Sequence, residues 1–105
     1  MLIGDLIKEV SVAFDIPPME LLGKCQQQKY IPARFALYAI LKKRGMSLKR
    51  IGTICSGRDH KTITHGISRA EWMMARDDIY REKIERLSRL SVDLTMAHIR
   101  LEQAA

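Results

Sequence analysis

The stretch from Pro32 to Leu41, PARFALYAIL, is apolar at nearly every position. A helix with one apolar stripe can lie on a surface, whereas a helix apolar all round has to be enclosed by its neighbours. That requirement constrains the chain more than any other feature, because the remaining elements must wrap this one. The helix is expected over 32–44. Lys42, Lys43 and Arg44 crowd its C-terminal end, where the dipole favours cations, and Gly45 stops it.

The wrapping elements also read as helices. Leu2, Leu6, Ile7, Val10, Ala13 and Phe14 form one stripe at helical spacing, predicting a first helix that ends near Phe14. Prolines at the entry and a glycine at the exit of IPPMELLG mark a short helix over 18–22. GKCQQQK is polar and aperiodic and reads as a loop. Further on, Ser47 is a natural N-cap for a helix from Leu48 to about Ile54, with Leu48, Ile51 and Ile54 as its apolar edge. After the turn CSG, a helix from Asp59 or His60 to Ala75 carries Ile63, Ile67, Ala70 and Met74 inward. Trp72, Met73 and Met74 look like an aromatic and sulfur-rich binding patch, with core packing at helical spacing the expected alternative, and His65 is expected to be a partly buried packing residue. Asp77 and Asp78 cap a last helix from Ile79 to about Leu101, whose apolar positions Ile84, Leu87, Leu94 and Leu101 recur close to every seventh residue. Its second half outruns the core; folding back or fraying is the expectation, with a homodimer seam as the alternative.

The whole is an all-α chain of 105 residues, a single domain over 1–105, with no uninterrupted apolar run near the roughly 20 residues of a membrane span. Its start carries acids, unlike a signal peptide. Cys25 and Cys55 lack CxxC spacing and are expected to be free thiols in a reducing compartment. A cytoplasmic, nucleoid-associated protein is therefore expected. Charge is unevenly spread. Residues 24–61 hold ten basic side chains against the single acid Asp59, residues 1–23 have net charge −3, and residues 62–105 are balanced. So one-sided a middle third calls for an anionic partner, with a plain soluble face as the bland alternative.

Two helices joined by a glycine-bearing turn of three or four residues make a helix-turn-helix, whose second helix enters a DNA major groove. The polar run GRDHKTITHG, residues 57–66, forms the exposed first turns of that second helix.

LLGK, IPARFALYAILKK, SLKRIG and above all SGRDHKTITHG resemble the C-terminal DNA-binding domain of the bacterial chromosomal replication initiator family, DnaA, whose signature is close to GGRDHTTV. The resemblance runs over about 2–90, leaving 91–105 as a helical extension. It implies a Trp-repressor-like helix-turn-helix domain that recognises short duplex boxes, with Arg58, Asp59, His60, Lys61 and Thr62 in the recognition turn. It also assigns phosphate contacts to Arg34, to Lys42, and to Ser47 and Leu48 at the entry of the first helix of the motif. Three departures stand out. Lys61 replaces the usual threonine, Gln26 occupies the place of a minor-groove arginine, and Lys49 and Arg50 replace a proline and an acid and strengthen phosphate attraction.

The residue chemistry agrees. Asp59 can accept from a cytosine amine or cap the helix; His60 can meet a thymine methyl or a base acceptor. Lys61 can donate to guanine O6 and N7 or to phosphate, and Thr62 and Thr64 can donate to phosphate or pack on a methyl. The base-contact candidates are thus Asp59, His60, Lys61 and Thr62. The phosphate candidates are Arg34, Lys42, Ser47, Leu48, Lys49, Arg50 and Arg58. Cys55, His60 and His65 are too widely spaced for a zinc site. Asp59 and His60 point about 100° apart and do not make an acid–base pair. No GxxxxGK[ST] phosphate loop occurs. The expectation is a non-enzymatic, stand-alone regulator or modulator at initiator-type boxes, binding double-stranded DNA with no cofactor, metal, nucleotide or membrane. The alternative is a protein-interaction adaptor that keeps the fold and turns its basic face to an acidic replication or transcription protein.

Overall fold

A computed structural model of the chain describes residues 3–23 and 28–89. Among these residues there are helices and no strands. They are α1 (Ile3–Phe14), α2 (Pro18–Leu22), a 3₁₀ turn (Gln28–Tyr30), α3 (Ile31–Lys43), α4 (Leu48–Ile54), α5 (His60–Arg76) and α6 over 78–89.

Helix α3 is the hub. Ala33, Arg34 and every residue from Ala36 to Leu41 are buried, as a helix apolar on all sides requires. α5 packs along it most extensively, with α1, α2 and α4 on its other flanks. Leu6 and Val10 of α1, Leu21 of α2, Ile51 of α4, Ile63 and Ala70 of α5 and Ile84 of α6 complete one continuous core. Tyr80 fastens α6 to it. Its ring meets Phe14 edge-on at 5.8 Å, and its hydroxyl donates to the Pro32 carbonyl at 2.7 Å. Burial raises the pKa of this phenol, so it stays a donor.

Local chemistry explains where the helices end. Asp15 adopts φ 54°, the left-handed conformation at which a helix closes, while the Ile16 N–H donates to the Ser11 carbonyl at 3.0 Å. Gly45, at φ 90°, does the same for α3, with the Met46 N–H reaching the Leu41 carbonyl. The observed helices lie within a residue of those read from the pattern, and the end of the last one, read near Leu101, lies outside the described residues. Two differences have physical causes. Gln28 and Lys29, read as loop, join Tyr30 in a 3₁₀ turn that feeds α3 where Pro32 supplies no donor. Asp77 caps α6 by accepting from the Tyr80 N–H at 3.1 Å, but Asp78 pairs with Arg81 at 2.8 Å instead of capping. Cys25, Gln26 and the segment 90–105, including the dimer-seam expectation, lie outside the described residues.

Candidate nucleic-acid interface

The helix-turn-helix is set by two close approaches that only glycine permits. A Cβ on Gly52 of α4 would stand 2.1 Å from the Arg58 carbonyl oxygen, so the chain leaving the turn lies directly against α4. The Arg58 N–H meanwhile donates to the Gly52 carbonyl at 2.9 Å. A Cβ on Gly66 would stand 2.6 Å from the Tyr38 ring and 2.8 Å from the Phe35 ring, fixing where α5 crosses α3. Between α4 and α5 the chain reverses through Ser56 and Gly57, at φ 67° and 71°.

This turn is braced by the end of α2. Arg34 reaches from α3 to donate to the Leu21 carbonyl at 3.2 Å and the Glu20 carbonyl at 2.7 Å. The Ser56 hydroxyl donates to the Leu22 carbonyl, and the Arg58 guanidinium to the Gly23 carbonyl at 2.5 Å. The last four carbonyls of a helix lack partners within it, and here side chains from α3 and the turn supply them. Two of the cations expected to clamp phosphate are therefore placed otherwise. Arg34 is 6% exposed, buried against Tyr30 and engaged with backbone. Arg58 is half-buried and turned inward, where it pulls down a Tyr38 pKa that burial raises. Both act first as braces.

The rest of the expected site faces outward. Ser47 caps α4, its Oγ accepting from the Arg50 N–H at 3.2 Å. Asp59 caps α5, Oδ1 accepting from the Thr62 N–H at 2.8 Å. The Thr62 backbone hydrogen bond, then its side-chain hydrogen bond, with smaller help from His60 and Lys61, lower the Asp59 pKa, so the carboxylate is anionic at neutral pH and accepts only. His60, Lys61, Thr62 and Thr64 are exposed while Ile63 between them is wholly buried. A buried Ile63 orients the first turn so that its polar neighbours project to solvent. Lys42, Lys49 and Arg50 are exposed, and Leu48 is half-buried at the entry of α4. A shallow groove of about 550 Å³ runs between α4 and the start of α5, lined by Leu48, Lys49, Thr53, Gly57, Arg58, Asp59 and His60. Base-contact and phosphate candidates thus share one concavity.

Three expectations need correction or addition. His65 is exposed, though its ring meets Phe35 edge-on at 6.0 Å. Trp72 is not a core residue: it is 46% exposed, because the α5 positions facing α3 are taken by Gly66, Ala70 and Met73. Thr53, four residues after Lys49 and so on its side of α4, joins the groove; that spacing is the signal the sequence offers for it. Cys55 lies under the turn, its pKa pushed up to about 11 by burial. No three His, Cys, Asp or Glu side chains converge on a metal-sized site among the described residues, and none of the described helices is long and apolar enough to cross a membrane.

A turn held by two obligatory glycines, presenting a polar helix start beside exposed cations, defines a helix-turn-helix domain. The family model described as the bacterial dnaA protein helix-turn-helix matches residues 3–70, and the chain belongs to that family. Among its relatives, the chromosomal replication initiator protein DnaA of Oenococcus oeni is 31% identical over 85 residues, which are 80% of this chain and 19% of the relative. That of Roseobacter denitrificans is 31% identical over 88 residues, 83% of this chain and 19% of the relative. That of Thermus thermophilus is 28% identical over 74 residues, 70% and 17% respectively. The chain thus spans about a fifth of the length of these relatives.

Proposed function

We propose that this domain binds double-stranded DNA, with the first turns of α5 in the major groove. The observation that carries the reading is the run of four exposed polar residues at the start of α5, Asp59, His60, Lys61 and Thr62, followed directly by an Ile63 anchored in the core. The helix start is thereby a rigid platform for short polar side chains, as base reading requires. Asp59 caps the helix through Oδ1, and an exposed carboxylate has further lone pairs with which to accept from a cytosine amine. His60 and Thr62 meet base edges or methyl groups beside it, and Lys61 donates to guanine or phosphate. Lys42, Lys49 and Arg50, with the entry of α4 at Ser47 and Leu48, hold the backbone on either side. Arg34 and Arg58 contribute by keeping the turn in place.

The role that fits is non-enzymatic, that of a regulator or modulator at initiator-type boxes. A selection from randomised duplexes, followed by titration of the recovered sequence at several salt concentrations, tests the reading. Expected are one preferred motif and a steep negative dependence of log affinity on log salt, from counterion release. Equal affinity for all duplexes, or binding insensitive to salt, overturns it.

A further inference from the structure

The outward side of α5 does not end at the recognition turn. Lys61, His65, Ser68, Trp72 and Arg76 recur at intervals of three or four residues, with Arg69 beside them, and all are exposed. They lie opposite the buried stripe of Ile63, Gly66 and Ala70. Trp72 is the organising group. The Arg69 guanidinium sits over its indole at 4.6 Å and that of Arg76 at 4.1 Å. Arg76 also donates to the Trp72 carbonyl at 3.1 Å. Glu71, the only acid within α5, projects about 100° away from Trp72.

A guanidinium held over a ring keeps several N–H donors for a further acceptor. Two arginines held this way have lost part of their rotamer freedom before any ligand arrives, and their planar forks suit phosphate. At 1.5 Å per residue, Arg69 and Arg76 lie about 12 and 22 Å along the helix from Lys61. With the phosphates of each strand spaced about 3.4 Å along the duplex axis, an offset of that length along the axis corresponds to about four to seven base pairs.

We propose that Arg69 and Arg76, held over Trp72, grip backbone phosphates of a duplex to one side of the base-reading turn, so that the DNA interface follows the whole outward face of α5. The proposal rests on the reading that α5 binds duplex DNA. Its occupant follows from continuity with the recognition turn on the same helix face and from the cationic character of that face.

The test uses the wild type, Arg69→Ala/Arg76→Ala and Trp72→Ala, each titrated across a salt series against the selected duplex with flanks of 2 to 8 base pairs (roughly the range the offset demands). On the long duplex the double variant loses about 2 from the slope of log affinity against log salt, and roughly fivefold or more in affinity per arginine near 0.1 M salt. Trp72→Ala weakens binding several-fold with the slope intact, because both charges remain. Trimming the flank on one side brings the wild type down to the level of the double variant, which is itself indifferent to the trim. All three side chains are on the surface, so circular dichroism and thermal midpoints match across the series. A double variant that keeps wild-type affinity and slope on the long duplex overturns this proposal alone and leaves the patch to a protein partner. A wild type that binds no duplex overturns the underlying reading as well.

Discussion

Replacing Gly52 with alanine tests the mechanical basis of the recognition turn. Alanine is the better helix former by about 1 kcal/mol in a helix interior, so propensity alone predicts stabilisation. Packing opposes it. The added Cβ would stand 2.1 Å from the Arg58 carbonyl oxygen, some 1.3 Å short of the 3.4 Å at which ordinary contact begins. The obstacle is backbone, so a side-chain rotation cannot relieve it; the segment leaving the turn has to move. Such overpacking costs about 1–3 kcal/mol, and disturbing the Arg58 to Gly52 hydrogen bond about 1 more. The net is a destabilisation of about 1–3 kcal/mol. Urea unfolding followed by circular dichroism measures it, with the midpoint falling on the order of 1 M at unchanged slope for a domain this small. Because Asp59 and His60 ride on the displaced segment, discrimination between duplexes falls while salt-dependent background binding persists. A Gly52→Ala protein as stable as the wild type, with its sequence preference intact, would refute the close approach.

Arg34→Ala leaves the Glu20 and Leu21 carbonyls without their buried cation and is expected to cost about 2–3 kcal/mol of stability, whereas Lys49→Ala leaves stability alone and lowers the salt slope of DNA binding by about 1. Denaturation and titration of both variants separate brace from clamp. Asp59 has a lowered pKa, so its cap contributes above the unfolded carboxylate pKa and is lost as pH falls through the folded one; Asp59→Asn keeps a capping oxygen, which flattens the acid limb of a stability–pH profile while changing the preferred duplex. Lys61→Thr is expected to sharpen one base position by about 1–3 kcal/mol and weaken total affinity, checked by duplex selection on both forms; identical motifs would confine Lys61 to phosphate. Cys55, buried and with its pKa near 11, should resist thiol reagents in the native state and react only on unfolding.

The recognition end is largely legible in the amino-acid order. An N-cap aspartate, an inward Ile63 and a polar run around it form a local pattern, and local pattern is what a linear sequence displays. Arg34 and Arg58 are legible as cations but not as braces, because their partners are the carbonyls of Glu20, Leu21 and Gly23, distant in sequence and carrying no side-chain signature. Trp72 misleads for a related reason. Its apolar character suggests the core, yet which side of α5 meets α3 is decided by where Gly66 lets the Tyr38 and Phe35 rings approach.

The amino-acid order by itself determined the helices, their caps at Ser47 and Asp59, the enclosed position of α3 and the polar start of α5. Those follow from periodicity, dihedral preference and hydrogen bonds spanning three or four residues, all of them short-range. Tertiary structure alone decided which cations face outward and which are consumed internally, that Gly52 and Gly66 are contact points, and that Arg69, Trp72 and Arg76 share the exposed face with Lys61. The physical reason is that burial and partnership depend on which surfaces meet, and those surfaces come from segments tens of residues apart.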